Sequence, residues 1–197
     1  MKPLLKSDHH LREEPVQSLQ VYQGHFLEVR RDQVRLPNGQ TAHREYVVHP
    51  GAVMIIPLLD DGRIVVEYQY RYPLHQVMLE FPAGKLDPNE PPLTCAIREL
   101  AEETGYQATE WARAGITHNA IAYSTEGIEI WFARGLTLGE RHLDPGEFLD
   151  VSAMTLEELE HFVQAGRLTD AKTLVGLLWL RYWREGRWPL EWVSVNE

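Results

Sequence analysis

The side chains best suited to chemistry crowd into one stretch, Glu80 to Tyr106, EFPAGKLDPNEPPLTCAIRELAEETGY. From about Glu90 it reads as a helix: Pro91 and Pro92 fall where a first turn tolerates missing N–H donors, and Gly105 falls where a left-handed cap is wanted. Glu99 and Glu103 are four residues apart, so they project from one face about a helical turn from each other. Arg98 and Glu102 have the same spacing and are placed to meet as an ion pair that holds a carboxylate still. Leu93, Ala96, Ile97 and Leu100 supply an apolar stripe to anchor the helix. In the loop before it, Pro82-Ala83-Gly84-Lys85-Leu86-Asp87, the glycine lets backbone carbonyls approach a ligand closely.

Such a run of acids is open to two readings. One is a solvated helix face, the usual fate of clustered charge. The other is a hard oxygen site, with two aligned carboxylates beside an exposed carbonyl. Magnesium favours these ligands, keeps several of its waters and completes its shell with substrate phosphate. Ions held there would neutralise a diphosphate and acidify a water for attack on phosphorus.

The complete pattern decides between them. Outward from Gly84 the chain fits G-x5-E-x7-R-E-U-x-E-E-x-G-U through Gly84, Glu90, Arg98, Glu99, Leu100, Glu102, Glu103 and Gly105, with Tyr106 in the last bulky position. This resembles the Nudix box, the motif of hydrolases that act on a nucleoside diphosphate linked to another moiety. The resemblance implies that Glu99, Glu103 and the carbonyl of Ala83 are metal ligands, with Glu90, Arg98 and Glu102 supporting them. Magnesium is the implied cofactor, with manganese able to serve in its place.

Composition bounds the rest. At 197 residues and 44% apolar content the chain can bury a sizeable core as one domain with an extension. The 19 basic against 29 acidic residues give a formal charge of −10, which disfavours a nucleic-acid polymer or an anionic membrane as partner. A phosphorylated small substrate remains compatible, because local cations offset its charge. The single cysteine, Cys95, excludes an intramolecular disulfide and fits a reducing compartment; mid-helix, it reads as core. MKPLLKSDHHLREE lacks the apolar segment of an export signal, and Ala52 to Leu59 and Leu174 to Leu180 are too short to span a bilayer, so a cytoplasmic location is expected.

The positioning elements follow. Residues 1 to about 17, with adjacent His9 and His10, read as a mobile polar end. From Ser18 short strand-like runs begin; Pro37-Asn38-Gly39 predicts a hairpin turn and His43 to Val48 the return strand. Residues 1–50 thus form an antiparallel N-terminal unit, too thin for a core of its own, and residues 51–197 the main domain. In the latter, Ala52 to Leu59 predicts a buried strand, Arg63 to Tyr70 its partner, and Val77 to Phe81 a strand leading into the loop. Arg71 is either a surface residue or a phosphate clamp, and Glu80 either a metal ligand or a partner behind one. Trp111 to Thr117 and Ile128 to Ala133 predict strands joined by a long connection. In it Glu126 is a candidate general base or an exposed residue without a role, and His118 a lower-ranked base. Gly146 to Ser152 predicts the last strand, followed by a helix from Thr155 to near Gly166 and another from Thr169-Asp170 to Arg184. Trp179, Trp183, Trp188 and Trp192 are assigned to packing.

The order of outer motifs, HPGAV, QYR, EFPAG, YSTE and GEFLDV, is similar to the ADP-ribose pyrophosphatase branch of that superfamily. The resemblance implies an α+β Nudix fold, a mixed β-sheet sandwiched between helices with an N-terminal antiparallel strand extension. It also implies a homodimer formed through the N-terminal strands, Tyr22 or Phe26 stacking on a nucleobase, and Glu126 assisting water attack. The implied substrate is ADP-ribose, with GDP-mannose or another nucleotide sugar as the alternative. Ala120-Ile121-Ala122 stands where the branch usually carries Ser-Pro-Gly, which weakens the substrate assignment but leaves the metal-binding helix intact. A non-catalytic sensor of the same fold commonly lacks some of the box glutamates, all of which are present here.

Overall fold

The computed structural model describes residues 7–195. Residues up to His49, together with Ala120–Glu126, form one compact unit; Pro50–Asn119 and the chain from Gly127 onward form the other.

The first unit is a three-stranded antiparallel sheet in the order β1 (Glu14–Gln23), β2 (Glu28–Arg35), β3 (Thr41–Val48). Gly39, at φ 83°, supplies the left-handed position of the β2–β3 turn. The mobile end expected up to residue 17 is corrected: after a short 3-10 turn at His9–Leu11, β1 starts at Glu14. The cause is pairing, since Glu14 to Gln23 pairs with β2 along its length, with irregularities at Val16 and Val21, and Glu13 is held by the Arg44 guanidinium, with Nε donating at 2.9 Å. The expectation for residues 1–6 lies outside the described residues. The connection at 120–126 is not loose either. Thr125 N–H donates to the Val47 carbonyl (3.0 Å), Val47 N–H to the Tyr123 carbonyl (2.9 Å), and His49 N–H to Thr125 Oγ1 (2.8 Å). These bonds add the segment to the edge of β3.

In the second unit, β4 (Ala52–Pro57), β7 (Ala83–Lys85), β8 (Tyr106–Thr117), β9 (Ile128–Leu138) and β11 (Trp192–Ser194) build a mixed five-stranded sheet in the order β11-β8-β9-β4-β7. Only β4 and β9 run parallel. A separate antiparallel sheet, β10-β5-β6, comprises β5 (Ile64–Arg71), β6 (Gln76–Glu80) and β10 (Leu149–Met154). The helices are α1 (Pro92–Glu99), α2 (Leu156–Gln164) and α3 (Ala171–Arg184). β11 was not expected: it is three residues long, too short for a periodicity to register. Among the described residues no helix is long and apolar enough to cross a membrane.

The alternation of β4 organises this unit. Val53 and Ile55 pack with Cys95, Ala96 and Leu100 of the box helix, whereas Met54 and Ile56 pack with Phe81, Leu159, Leu177 and Leu180. All four β4 side chains are fully buried, and each such burial is worth roughly 1.5–3 kcal/mol. An eight-residue helix such as α1 is too short to persist alone, so packing on β4 decides its existence and its orientation. On the opposite side, α3 is tied to the strand that enters the box. Its N-cap Asp170 accepts from Thr173 N–H (2.9 Å) and from the Thr173 hydroxyl (2.6 Å), and Thr173 Oγ1 accepts from Phe81 N–H (3.0 Å). The tryptophans at the end of α3 pack as expected: Trp183 lies 5.6 Å from Phe132 and 6.0 Å from Trp192, and Trp179 lies 5.0 Å from Trp188.

Replacing Thr173 with Val leaves the buried Phe81 N–H without its acceptor. Urea unfolding of Thr173→Val is expected to show a loss of about 1–3 kcal/mol, against near-parental stability if that bond contributes nothing.

Candidate active site

The box helix is not uniform. After α1 the backbone widens into a π-helical turn at Leu100–Thr104, a feature that recurs at functional sites, and Gly105 at φ 77° ends it. Glu103 lies in the widened turn and Glu99 immediately before it. Their carboxylates close on the loop in different ways. Glu103 Oε2 accepts the N–H of Ala83 at 3.0 Å. The carboxylate of Glu99 lies over Gly84, where a Cβ would meet its Cδ at 1.8 Å. Gly84 is therefore required for space at the point where the second acid crosses the loop. The loop itself is fixed by β7, with Ala83 opposite Met54 and Gly84 opposite Val53 of β4.

Arg98 is the hub behind these acids. Its Nε and Nη2 grip Glu90 bidentately, both at 2.9 Å, while Nη1 donates to Glu99 at 2.8 Å and to Glu102 at 2.9 Å. Its Nη2 also reaches the Lys85 carbonyl at 3.3 Å, tying helix to loop. The Arg98 hydrogen bonds hold the Glu90 carboxyl down at about 2, and the same network raises the Arg98 guanidinium further above its ordinary value. Cys95 is buried in the box core, and burial pushes its thiol up to about 12, so it is not a nucleophile.

A second ion network stands beside the first. Arg71 grips Glu80 through Nε (2.7 Å) and Nη2 (2.9 Å), and Lys172 at the start of α3 donates to both Glu80 and Asp170, the latter at 3.0 Å. Burial opposes ionisation of Glu80, but Arg71 and Lys172 overcome it and leave its pKa below the ordinary value. Both Glu80 oxygens are thus occupied by cations, which places Glu80 as the residue that holds Arg71.

The remaining acids are poorly compensated. Burial, then the charges of Glu67, Glu99 and Glu147, push the Glu103 carboxyl well up. Burial pushes Glu99 up to about 7 against the pull of Arg98, and Glu102 and Glu147 add to the rise. Glu67 is 0% exposed, and both its oxygens are buried without a hydrogen-bond partner. Burial and the neighbouring Glu80 raise its pKa too. Among the described residues no three His, Cys, Asp or Glu side chains are already drawn together as a ready ligand set. Acids that repel one another across a buried space, one of them unpartnered, nevertheless suit a divalent cation. The acidic side chains present fit such an ion.

Of the residues singled out from sequence, Gly84, Glu90, Arg98, Glu99, Glu102 and Glu103 come together on the box, and Arg71 meets Glu80 beside them. Glu126 belongs to the first unit, where its Oε1 lies 3.6 Å from His49 Nε2. Tyr22 and Phe26 are also there, 56% and 60% exposed, so neither ring is consumed by core packing; Phe26 stands edge-on to His49 at 6.2 Å. Glu67, Glu147 and Lys172 were missed. Glu67 interrupts the apolar run Ile64-Val65-Val66 two residues before Gln69 and four before Arg71, and that misplaced charge was the available sign. Glu147 and Lys172 stand in exposed-looking polar stretches and carried none.

The NUDIX domain matches over residues 48–174, and residues 13–47 match the nucleoside diphosphate sugar hydrolase N-terminal domain. The chain belongs to the Nudix hydrolase family. This Nudix chain is 35% identical to the ADP-ribose pyrophosphatase of Bacillus subtilis (strain 168), over 87% of its own length and 94% of the relative's. It is 38% identical to a methanol dehydrogenase activator of Bacillus methanolicus, over 86% and 92%. A crystal structure of an ADP compounds hydrolase shares its fold, with TM-score 0.79 and 24% identity over 88% of this chain and 96% of that one.

Gly84→Ala tests the crossing of Glu99 over the loop. The side chain that must move is flexible, so the thermal unfolding temperature is expected to stay near that of the parent. Displacing the carboxylate by about 1 Å is expected to lower turnover on the order of a hundredfold. Unchanged turnover would show that Glu99 need not sit there.

Proposed function

We propose that this Nudix hydrolase cleaves the diphosphate of a nucleoside diphosphate sugar, ADP-ribose first, in a magnesium-dependent reaction. Water adds to one phosphorus, the P–O–P bond breaks, and AMP and ribose 5-phosphate leave. The carrying observation is the closure of Glu103 and Glu99 on Ala83 and Gly84, which brings two acids onto the loop whose Ala83 carbonyl would complete the metal's ligands. The relative named as an ADP-ribose pyrophosphatase and the match of the N-terminal residues support the substrate class. GDP-mannose or another nucleotide sugar is the alternative within it.

Bound magnesium, or manganese in its place, would offset the diphosphate charge and acidify the attacking water. Arg98 holds Glu99, Glu102 and Glu90 in fixed orientations, so the ligands need not reorganise during the reaction. Arg71, oriented by Glu80, presents a guanidinium to phosphate oxygens. Two carboxylates compete to accept the water proton. Glu126 is the one the family resemblance implies, held near His49. Glu147 is half-buried on the loop before β10 and acts electrostatically on Glu67, Glu99 and Glu103 within the same unit, which favours it. Tyr22 and Phe26, exposed aromatics of the first unit, supply faces for a nucleobase. A homodimer through the N-terminal strands is supported by β1, every residue of which is exposed, with Leu19 and Val21 among them. The lone buried thiol accords with a cytoplasmic location.

Incubation with magnesium and a panel of ADP-ribose, GDP-mannose, UDP-glucose and dinucleoside polyphosphates should release AMP and ribose 5-phosphate from the first. In the same assay Glu103→Gln is expected to lose more than the ~10–100-fold that removal of a group behind a metal ligand costs. Glu147→Gln is expected to lose more turnover than Glu126→Gln; the reverse order returns the base to Glu126. An active Glu103→Gln enzyme would refute the metal assignment. Sedimentation at micromolar concentration is expected to give a dimer, and a monomer would remove the strand-mediated assembly.

A further inference from the structure

We infer that Glu67 is a positioning residue of the metal centre: buried on β5 without a hydrogen-bond partner, it sets how tightly the centre takes a divalent cation. This rests on the metal-dependent reading above and adds to the box a residue that lies outside the motif.

The register of β5 and β6 carries the argument. Glu67 stands directly opposite Glu80, and Arg71 opposite Gln76. Glu67, Gln69 and Arg71 alternate onto one face of β5. On that face Arg71 binds Glu80, and Gln69 donates to Glu147 at 3.3 Å. Glu67 alone of the three has no partner, although it is wholly enclosed. Buried polar groups in folded proteins are paired almost without exception, and an orphan calls for a role.

Its surroundings supply one. Glu80 leads through Phe81 and Pro82 to Ala83, whose N–H holds Glu103. Glu67 acts electrostatically on Glu103, together with Glu99 and Glu147. Lys172 and Arg71 also act on Glu67, but Glu80 takes their hydrogen bonds. In the metal-free centre two buried acids therefore crowd one another, a strain that Lys172 and Arg71 offset only in part. A cation taken up by Glu103 relieves it, and by linkage that relief returns as affinity. The orphan carboxylate acts through Glu103 without needing to touch the ion.

The test is a manganese titration of the full chain by calorimetry, with no substrate present, alongside thermal unfolding of the metal-free protein. Glu67→Gln is expected to weaken manganese binding on the order of tenfold. Its metal-free unfolding temperature should stay level or rise, because a buried carboxyl without a hydrogen-bond partner is gone. At saturating magnesium its kcat should return close to the parental value, with the magnesium midpoint shifted by the same factor. Glu67→Met should repeat the result, and Glu67→Asp should keep most of the affinity. Parental affinity in Glu67→Gln overturns the inference. So does a lowered unfolding temperature with affinity unchanged, or failure of both neutral variants to fold, since each makes Glu67 structural. A parent that binds manganese but cleaves none of the panel would sink the proposed substrate and leave Glu67 decided by the titration. A parent that takes up no divalent cation would sink both.

Discussion

Buried negative charge is the constraint on which this structure turns. Glu67, Glu80, Glu99, Glu103 and Glu147 act on one another within the second unit, and a low-dielectric surrounding magnifies each repulsion. Arg98 compensates the outer part of the box, and Arg71 with Lys172 compensates Glu80. Glu67, Glu103 and Glu147 take no hydrogen bond from a cationic side chain among the described residues. A fold selected for stability alone would fill that space with apolar side chains. These acids make sense as half of an ion-binding equilibrium, the other half being a divalent cation.

Holding those acids together requires a rigid frame, and β4 provides it. Its two faces are buried against different partners, α1 on one and α3 with Phe81 on the other. The helix that carries the glutamates and the strand that leads into the loop are therefore referred to one element. Gly176 of α3 belongs to this arrangement: a Cβ there would meet Met54 Cε at 2.6 Å and the Phe81 ring at 3.0 Å. Close approach of α3 to β4 brings Thr173 to the Phe81 amide and Lys172 to Glu80. Packing thus places the cation that keeps Glu80 charged, and Glu80 in turn holds Arg71.

How much of this was legible in the sequence depended on how local its cause was. The box helix, its proline start and glycine stop, and the Arg98–Glu102 pair all follow from spacing along a few turns. The two-sided burial of β4 was visible as an unbroken apolar run. The early start of β1 was not, because Glu14 to Gln23 is exposed throughout and only pairing with β2 makes it a strand. The widening of the helix at Leu100–Thr104 left no mark in the composition, since it changes backbone pitch without changing the apolar stripe. Glu67, Glu147 and Lys172 became site residues through contacts between distant segments, such as Lys172 with Glu80. Spacing along one element cannot supply such contacts. Glu67 was nonetheless half visible, as a charge inside an apolar strand, a place where an acid needs either a partner or a purpose.

The same distinction separates what the site fixes from what it leaves open. The diphosphate is the part of the substrate that needs cations, acids and a close backbone approach, and those are supplied by a contiguous motif on a rigid frame. Base and sugar demand only shape, stacking faces and a few hydrogen bonds, which many arrangements of side chains can offer. Arg98 and β4 therefore keep the cleavage chemistry in place whatever base and sugar flank the diphosphate.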